Sequence, residues 1–132
     1  MNKIMALDIG TKRIGVALSD FLQITANPCC CISRENEKDA INQIQKIAID
    51  NKVKIIVVGV PINMDGTYGF QAENCKEFAG KIEGFDIVFE DERLTSAQAE
   101  ENLRNRKINF RKDKSLVDIE SACIILEQYL RK

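Results

Sequence analysis

The sequence of 132 residues predicts an α/β protein in which a mixed five-stranded sheet is flanked by helices. Two observations lead to this class. Three short apolar runs come first, which indicates an antiparallel meander. Segments with helical and strand periodicity then alternate, which is typical of parallel strands. The expected order is β-β-β-α-β-α-β-α-α, and the length suits a single domain over residues 1–132.

The first three predicted strands are short. Residues 3–8 and 13–19 are apolar runs joined by Gly10, Thr11 and Lys12, a pattern typical of a β-hairpin. Residues 24–33 predict a third strand, and Pro28 favours an edge position or an irregular start for it.

Helices and strands alternate through the rest of the chain. Asn36 and Asp39 can cap a helix over residues 37–51, and the β-branched run 54–61 predicts a strand buried on both faces. Thr95 with Gln98 predicts a capping box for a later helix. The remaining predicted elements are a helix over 70–82, a strand over 86–90, and helices over 96–106 and 116–130.

The composition limits the chemistry. The chain has no histidine, which excludes catalytic triads and general bases that depend on imidazole. Its five cysteines form no CxxC pair, so a zinc site and a disulfide framework are both disfavoured, and a reducing, cytoplasmic compartment is expected. We expect no membrane span and no signal peptide. Hydrolysis would have to come from carboxylates, lysine, cysteine or a metal.

Acids at strand ends are the first candidate metal ligands. Asp8 extends the apolar face of Ile4 and Ala6, where a carboxylate must be solvated, paired or bound to metal. The acidic triplet 90–92 follows the strand 86–90, and a solvated turn is the alternative interpretation. Asp8 itself can also be a solvated strand end.

Asp118 is the third candidate, in the first turn of the last predicted helix. Ser115 with Asp118 fits a capping box, in which the acid stabilises the helix start. The same helix face continues to Ser121, Ala122 and Ile125, however, which favours a carboxylate that points inward. Both interpretations are open from the residues alone.

Carboxylates that are distant in sequence can meet at one edge of a sheet. Three of them would repel one another without a cation, and their oxygen atoms suit Mg²⁺ or Mn²⁺. Two such ions could support cleavage of a phosphodiester bond.

A basic segment lies just before the last predicted helix. It is interpreted either as a solvated loop or as an arm that follows a nucleic-acid backbone. Six basic residues and one acid lie between positions 104 and 114, the basic ones being Arg104, Arg106, Lys107, Arg111, Lys112 and Lys114.

Glycines mark the predicted turns and strand ends at Gly10, Gly15, Gly59 and Gly66. The Asp-x-Gly-Thr pattern at Asp8 also occurs in phosphate loops of the sugar kinase and actin group. Those proteins enclose a nucleotide between two such domains, so an ATPase is disfavoured for this chain.

Four segments together resemble the YqgF family, also called RuvX. They are DIGTKRIGVA (8–17), GVPINMDG (59–66), DERLTS (91–96) and VDIESACIILEQY (117–129). The resemblance implies a ribonuclease H-like fold related to Holliday-junction resolvases. It implies a metal-dependent nuclease that trims the 5′ end of pre-16S rRNA during ribosome maturation. Resolution of branched DNA is the older proposal for the family.

The resemblance also assigns roles to individual residues. It makes Asp8, Glu92 and Asp118 the catalytic acids, with Mg²⁺ or Mn²⁺ as the expected cofactor. Related resolvases carry an acid on the strand after the first long helix, but here that strand ends Val-Gly-Val-Pro (58–61). The third metal ligand must then be Asp91 or Glu92, and the two remain alternatives.

Nucleic acid is the expected partner. Lys12, Arg13, Arg93 and the basic residues of 104–114 are candidates for contacts to its backbone. Asn63 and Asp65 either line the mouth of the site or form a turn. A non-catalytic ribosome-assembly factor on the same fold is the competing hypothesis, and no oligomer interface is legible in the sequence.

Overall fold

The computed structural model describes residues 1–63, 65–92, 95–109 and 113–132, except for the side chains of Thr95 and Ser96. The elements follow the predicted order. They are β1 (Lys3–Ile9), β2 (Arg13–Ser19), β3 (Ala26–Ser33), α1 (Glu37–Asp50), β4 (Val53–Pro61), α2 (Phe70–Ala79), β5 (Asp86–Glu92), α3 (Thr95–Asn105) and α4 (Ser115–Leu130). Within these ranges, no helix has both the length and the apolar character needed to cross a bilayer.

The described strands form one mixed five-stranded sheet, as predicted, and their order in it is β3-β2-β1-β4-β5. β1, β2 and β3 pair antiparallel, whereas β4 pairs parallel with both β1 and β5. β1 is therefore central, and the carboxyl ends of β1, β4 and β5 lie at the same edge of the sheet. β3 lies at the outer edge, as Pro28 suggested, and a bulge interrupts its register with β2 between Val16 and Ala17.

The two faces of the sheet carry separate apolar cores. One core joins Met5, Leu7 and Ile9 to α1 and α2. The other joins Ile4 and Ala6 to the inner face of α4. Because side chains alternate along a strand, this parity places Asp8 on the α4 face.

Three element boundaries differ from the prediction by two or more residues, each for a local reason. β3 begins at Ala26, because Asp20 Oδ1 accepts hydrogen bonds from the Ile24 and Thr25 amides (2.8 and 2.9 Å) and closes the preceding loop. α2 ends at Ala79, where Gly80 caps it. β5 runs on to Glu92, because it continues to pair with β4 up to Pro61.

The predicted helix caps have different outcomes. Asn36 Oδ1 accepts a hydrogen bond from the Asp39 amide at 3.0 Å, as expected. The capping box of Ser115 and Asp118 is wrong: Asp113 Oδ1 accepts from the Ser115 amide at 3.0 Å instead. The Asp118 side chain instead accepts a hydrogen bond from Arg13. The box at Thr95 involves a side chain outside the described set.

The prediction that Gly15 marks a turn or strand end is also wrong. Gly15 lies inside β2, and a Cβ atom there would be 1.9 Å from the Asp118 carbonyl oxygen. A glycine inside a strand permits another backbone to approach closely. Here it lets the first turn of α4 rest directly on the sheet.

Candidate active site

Asp8 is the centre of the candidate site. It lies near the carboxyl end of the central strand and pairs with Gly15, on which the backbone of Asp118 rests. Burial raises the pKa of Asp8 to about 8, and repulsion from the Glu92 and Asp118 carboxylates adds to the rise. The sheet and α4 therefore gather three acids that are far apart in sequence.

Glu92 approaches Asp8 from β5. Glu90 and Glu92 are on the α4 face, since Val88 pairs with Val57 of the α4-side core. A Cβ atom on Gly59 would lie 2.3 Å from Ile125 Cδ1 and 3.3 Å from Glu92 Cδ, so this glycine leaves room for both side chains.

Asp91 points to the opposite face of the sheet. It is exposed, and its Oδ1 accepts a hydrogen bond from the Tyr68 hydroxyl at 2.9 Å. This bond raises the pKa of Tyr68. Of the two candidates for the third ligand, the structure brings Glu92 beside Asp8 and leaves Asp91 with Tyr68.

Asp118 already has a cationic partner. Arg13 Nε donates to Asp118 Oδ2 at 2.7 Å, with the two side chains 39% and 22% exposed. Cys31 Sγ lies 3.9 Å from the same oxygen. Sequence reasoning assigns Arg13 to nucleic acid and misses this ion pair, because residues 105 positions apart give no local signal.

The donor chemistry of the site suits a hard divalent cation, because Asp8 is poorly solvated and the two acids that act on its charge, Glu92 and Asp118, also offer carboxylate oxygens. The positions of these carboxylates do not form a complete set of metal ligands in this conformation. Among the described residues, no group of three or more acidic or cysteine side chains is arranged to hold a metal ion. The three acids are within electrostatic reach of one another, but in this conformation Asp118 Oδ2 faces Arg13.

Two side chains that the sequence did not single out fix the chain after Asp8. Gln71 Nε2 donates to the Ile9 carbonyl at 3.0 Å, and Arg34 Nη1 donates to the Gly10 carbonyl at 2.7 Å. The Arg34 side chain is only 10% exposed. These bonds tie the β1–β2 turn to the α2 side of the sheet and so hold the end of β1 in place.

The loop after β4 forms a compact turn. Asp65 Oδ1 accepts from the Thr67 amide at 3.0 Å and from its hydroxyl at 2.6 Å, and the Asn63 amide donates to the Thr67 carbonyl at 2.8 Å. Gly66 completes the turn with φ of 87°. Of the two roles considered for Asn63 and Asp65, these bonds show the turn-forming one.

The residues predicted to contact nucleic acid have different environments. Lys12, Arg104, Lys107 and Lys114 are exposed. Arg106 forms an ion pair with Glu120 of α4, so part of the positive charge is neutralised within the protein. Arg93, Arg111 and Lys112 lie outside the described residues.

The five cysteine thiols are free. Cys29 lies at the bulge of the edge strand and is exposed, with its Sγ 3.8 Å from Cys30 Sγ. The hydrogen bond with Cys30 lowers the pKa of Cys29 to about 7, and Lys3 contributes in the same direction. Burial raises the pKa of Cys31 and of Cys75 to about 11.

The sequence profile of RuvX, described as a Holliday junction resolvase, matches residues 2–132. The chain belongs to the RuvX family. A relative from Endomicrobium trichonymphae, named "Putative pre-16S rRNA nuclease", is 42% identical over 134 residues that cover 98% of this chain and 96% of the relative. The predicted family and the predicted nuclease class are therefore confirmed.

Solved structures confirm the ribonuclease H-like fold of this RuvX chain. The Fowlpox virus resolvase, in complex with Holliday junction DNA, superposes with a TM-score of 0.59 and 12% identity, covering 98% of this chain and 97% of the resolvase. RuvC of T. thermophilus, also with a Holliday junction, gives a TM-score of 0.57 and 12% identity, covering 99% and 96%. At this identity the likeness concerns the fold.

Proposed function

We propose that this RuvX protein hydrolyses phosphodiester bonds of structured nucleic acid with the help of Mg²⁺ or Mn²⁺, and that its substrate is the 5′ end of pre-16S rRNA. The observation that carries the proposal is the position of Asp8. A buried carboxyl whose pKa is raised to about 8 by desolvation and by two neighbouring acids is costly for the fold. Such a cost is typical of functional sites.

Asp8, Glu92 and Asp118 are the ligands in this proposal. Glu92 is preferred over Asp91 because its charge acts on Asp8, whereas Asp91 is bonded to Tyr68 on the other face. When bound, the divalent ions would supply an activated water and neutralise charge on the leaving oxygen. The sheet keeps Asp8 and Glu92 at one edge, and the close approach at Gly15 keeps the first turn of α4 over them.

Basic side chains around this edge are proposed to hold the nucleic-acid backbone. Lys12 and Lys114 are exposed at the β1–β2 turn and at the start of α4, next to the elements that carry Asp8 and Asp118. Arg104 and Lys107 extend the positive surface along the end of α3. Contacts of this kind position a substrate without reading its sequence.

Pre-16S rRNA is favoured because the Endomicrobium trichonymphae relative, matched over nearly its full length, carries that name. Branched DNA is the second candidate, because the family is described as a Holliday junction resolvase. We place either activity in the cytoplasm. A two-fold junction would require a dimer, whereas a single rRNA terminus would not.

The test is a cleavage assay on two substrates, a 5′-extended 16S rRNA fragment and a DNA four-way junction. With Mn²⁺ or Mg²⁺ we expect the RNA to be cut, with EDTA stopping the reaction. Asp8→Asn should reduce the rate by more than about 100-fold, because it removes a central charge of the site.

Asp65→Asn is the matched control, since it removes a carboxylate charge from the turn after β4. Normal cutting by Asp8→Asn would refute the proposal. Tight binding of RNA without any metal-dependent turnover would support the assembly-factor hypothesis instead. Preferential cutting of the junction would replace rRNA by branched DNA as the substrate.

A further inference from the structure

The ion pair between Arg13 and Asp118 opposes the ligand role of Asp118. Its Oδ2 atom accepts the Arg13 Nε–H at 2.7 Å and has Cys31 Sγ at 3.9 Å. Arg13 and Cys31 belong to β2 and β3, on one side of the central strand. Glu92 belongs to β5, on the other side, so these two contacts of the oxygen are with the β2 and β3 side of the site and not with Glu92.

The local sheet geometry explains why Arg13 reaches this position. Arg13, Gly15 and Ala17 alternate onto the α4 face of β2, and Ala17 lies in the α4-side core. Because Gly15 has no side chain, the first turn of α4 settles between Arg13 and the end of β1. The guanidinium then meets the Asp118 carboxylate at the rim of the site.

Arg13 is also suited to a second acceptor. A guanidinium carries five N–H donors, and the bond to Asp118 uses the one on Nε. The side chain is 39% exposed, so its Nη atoms can meet a phosphate that enters from solvent. Phosphate binds arginine through two parallel hydrogen bonds, which competes well with a single bond to a carboxylate.

Building on the proposed function, we propose that Arg13 is a substrate-dependent counterion that holds Asp118 out of the metal site until a backbone phosphate takes its place. Without nucleic acid, the guanidinium neutralises Asp118 and keeps Oδ2 on the β2 side. With nucleic acid bound, Arg13 pairs with phosphate and Asp118 turns toward Asp8 and Glu92. Binding of substrate and of divalent ion is then cooperative, and the coupling is reciprocal.

If Arg13 instead supported metal binding by Asp118, its removal would have the opposite effect on metal affinity. If Arg13 held Asp118 in the orientation that binds metal, loss of the guanidinium would weaken metal binding. If Arg13 competes with the metal, its loss must strengthen binding. The sign of one affinity change therefore separates a competing residue from a supporting one.

The experiment titrates Mn²⁺ alone into the full chain and follows free Mn²⁺ by electron paramagnetic resonance. We expect Arg13→Gln to bind Mn²⁺ about 3- to 10-fold more tightly than the wild type, the range expected for a partly exposed, charge-assisted pair. Lys12→Gln removes the same charge next to Arg13, without a bond to Asp118. It should change the affinity by less than about 2-fold.

A second titration contains a phosphorothioate 2′-O-methyl oligonucleotide that resists cleavage. The oligonucleotide should tighten Mn²⁺ binding by the wild type and have a smaller effect on Arg13→Gln. Arg13→Lys, which keeps the charge but not the Nε donor, should lie between the two and serves if Arg13→Gln does not fold.

The proposal is overturned if Arg13→Gln binds Mn²⁺ no more tightly than the wild type, or if Lys12→Gln gives the same increase. Failure of the proposed function has a different signature. In that case, wild type and Asp8→Asn bind Mn²⁺ equally, with or without oligonucleotide.

Discussion

Asp8 shows how one residue can reduce the stability of its own fold. Its carboxyl is favoured in the protonated form because burial and two nearby acids raise its pKa to about 8, whereas an unfolded chain would ionise it near pH 4. Between these values the folded state holds a proton that the unfolded state has lost. Stability of the metal-free protein should therefore fall as pH rises from about 4 to about 8.

Asp8→Asn should remove this dependence. In EDTA at pH 8 we expect the variant to melt at least about 3 °C above the wild type, which corresponds to roughly 1 kcal/mol for a chain of this size. At pH 3.5, where Asp8 is largely protonated in both the folded and the unfolded state, the two proteins should melt within about 1 °C of each other. Thermal unfolding followed by circular dichroism measures both differences. A melting difference that is the same at both pH values would contradict this electrostatic account.

Glu92 and Asp91 are adjacent in sequence but face opposite sides of β5, so they should respond differently to the same change. Glu92→Gln should lower metal-dependent cleavage by more than about 100-fold, because it removes a charge beside Asp8. Asp91→Asn should retain activity within about 3-fold, because it alters only the bond to Tyr68. Initial rates at saturating Mn²⁺ decide between them, and equal losses would make Asp91 a participant.

At the scale of elements, strand parity was the most informative feature of the sequence. Alternation along β1 placed Asp8 on the face of Ile4 and Ala6, which the structure packs against α4, and the small residues after Asp118 indicated an inward carboxylate. The end of β5 could not be predicted, since pairing with β4 extends the strand through Glu92. The false capping box at Ser115 has a similar cause: the long-range bond to Arg13 engages Asp118, and Asp113 accepts the hydrogen bond from the Ser115 amide.

The close packing of α4 on β2 makes Gly15 intolerant of any side chain. Gly15→Ala would place Cβ 1.9 Å from the Asp118 carbonyl oxygen, so α4 must shift. We expect a loss of about 3 kcal/mol or more in the free energy of unfolding, together with loss of activity. Chemical denaturation with urea measures the loss.

Gly80→Ala provides the control for Gly15→Ala. Gly80 has φ of −64°, and its added Cβ would make only ordinary contacts at 3.5 Å, so stability should change by less than about 1 kcal/mol. A Gly15→Ala protein as stable as Gly80→Ala would show that α4 does not rest on β2 at this glycine.

At the scale of the whole molecule, the net charge of −1 hides an uneven distribution. Three acids gather at the carboxyl edge of the parallel strands, whereas Arg104 and Lys107 near the end of α3 and Lys114 before α4 are exposed cations. The sequence revealed the basic segment but not the Arg106–Glu120 pair, because Glu120 is on a different helix. Ion pairs such as this one form only in the folded protein, so the sequence does not show which cations remain available to nucleic acid.

The exposed cations should determine the salt dependence of nucleic-acid binding. Replacing Lys107 and Lys114 together by Gln should reduce the slope of log K against log salt by about 1.4 for single-stranded RNA, or roughly 0.7 for each phosphate that the protein no longer neutralises. The double variant Lys46→Gln, Lys81→Gln removes two cations that pair with acids on α1, and should leave the slope unchanged. Fluorescence anisotropy between 50 and 200 mM salt measures both slopes, and identical slopes would exclude the basic segment from the interface.

The bulge in the edge strand also gives the protein a natural point for chemical labelling. At neutral pH the exposed Cys29 ionises readily, whereas burial keeps the thiols of Cys31, Cys75 and Cys123 protonated. A maleimide dye should therefore attach at Cys29 without any engineered cysteine. Cys29 lies two residues along β3 from Cys31, whose partner Gly15 pairs in turn with Asp8. The fluorophore would thus report arrival of a nucleic acid while leaving every carboxylate of the site unmodified.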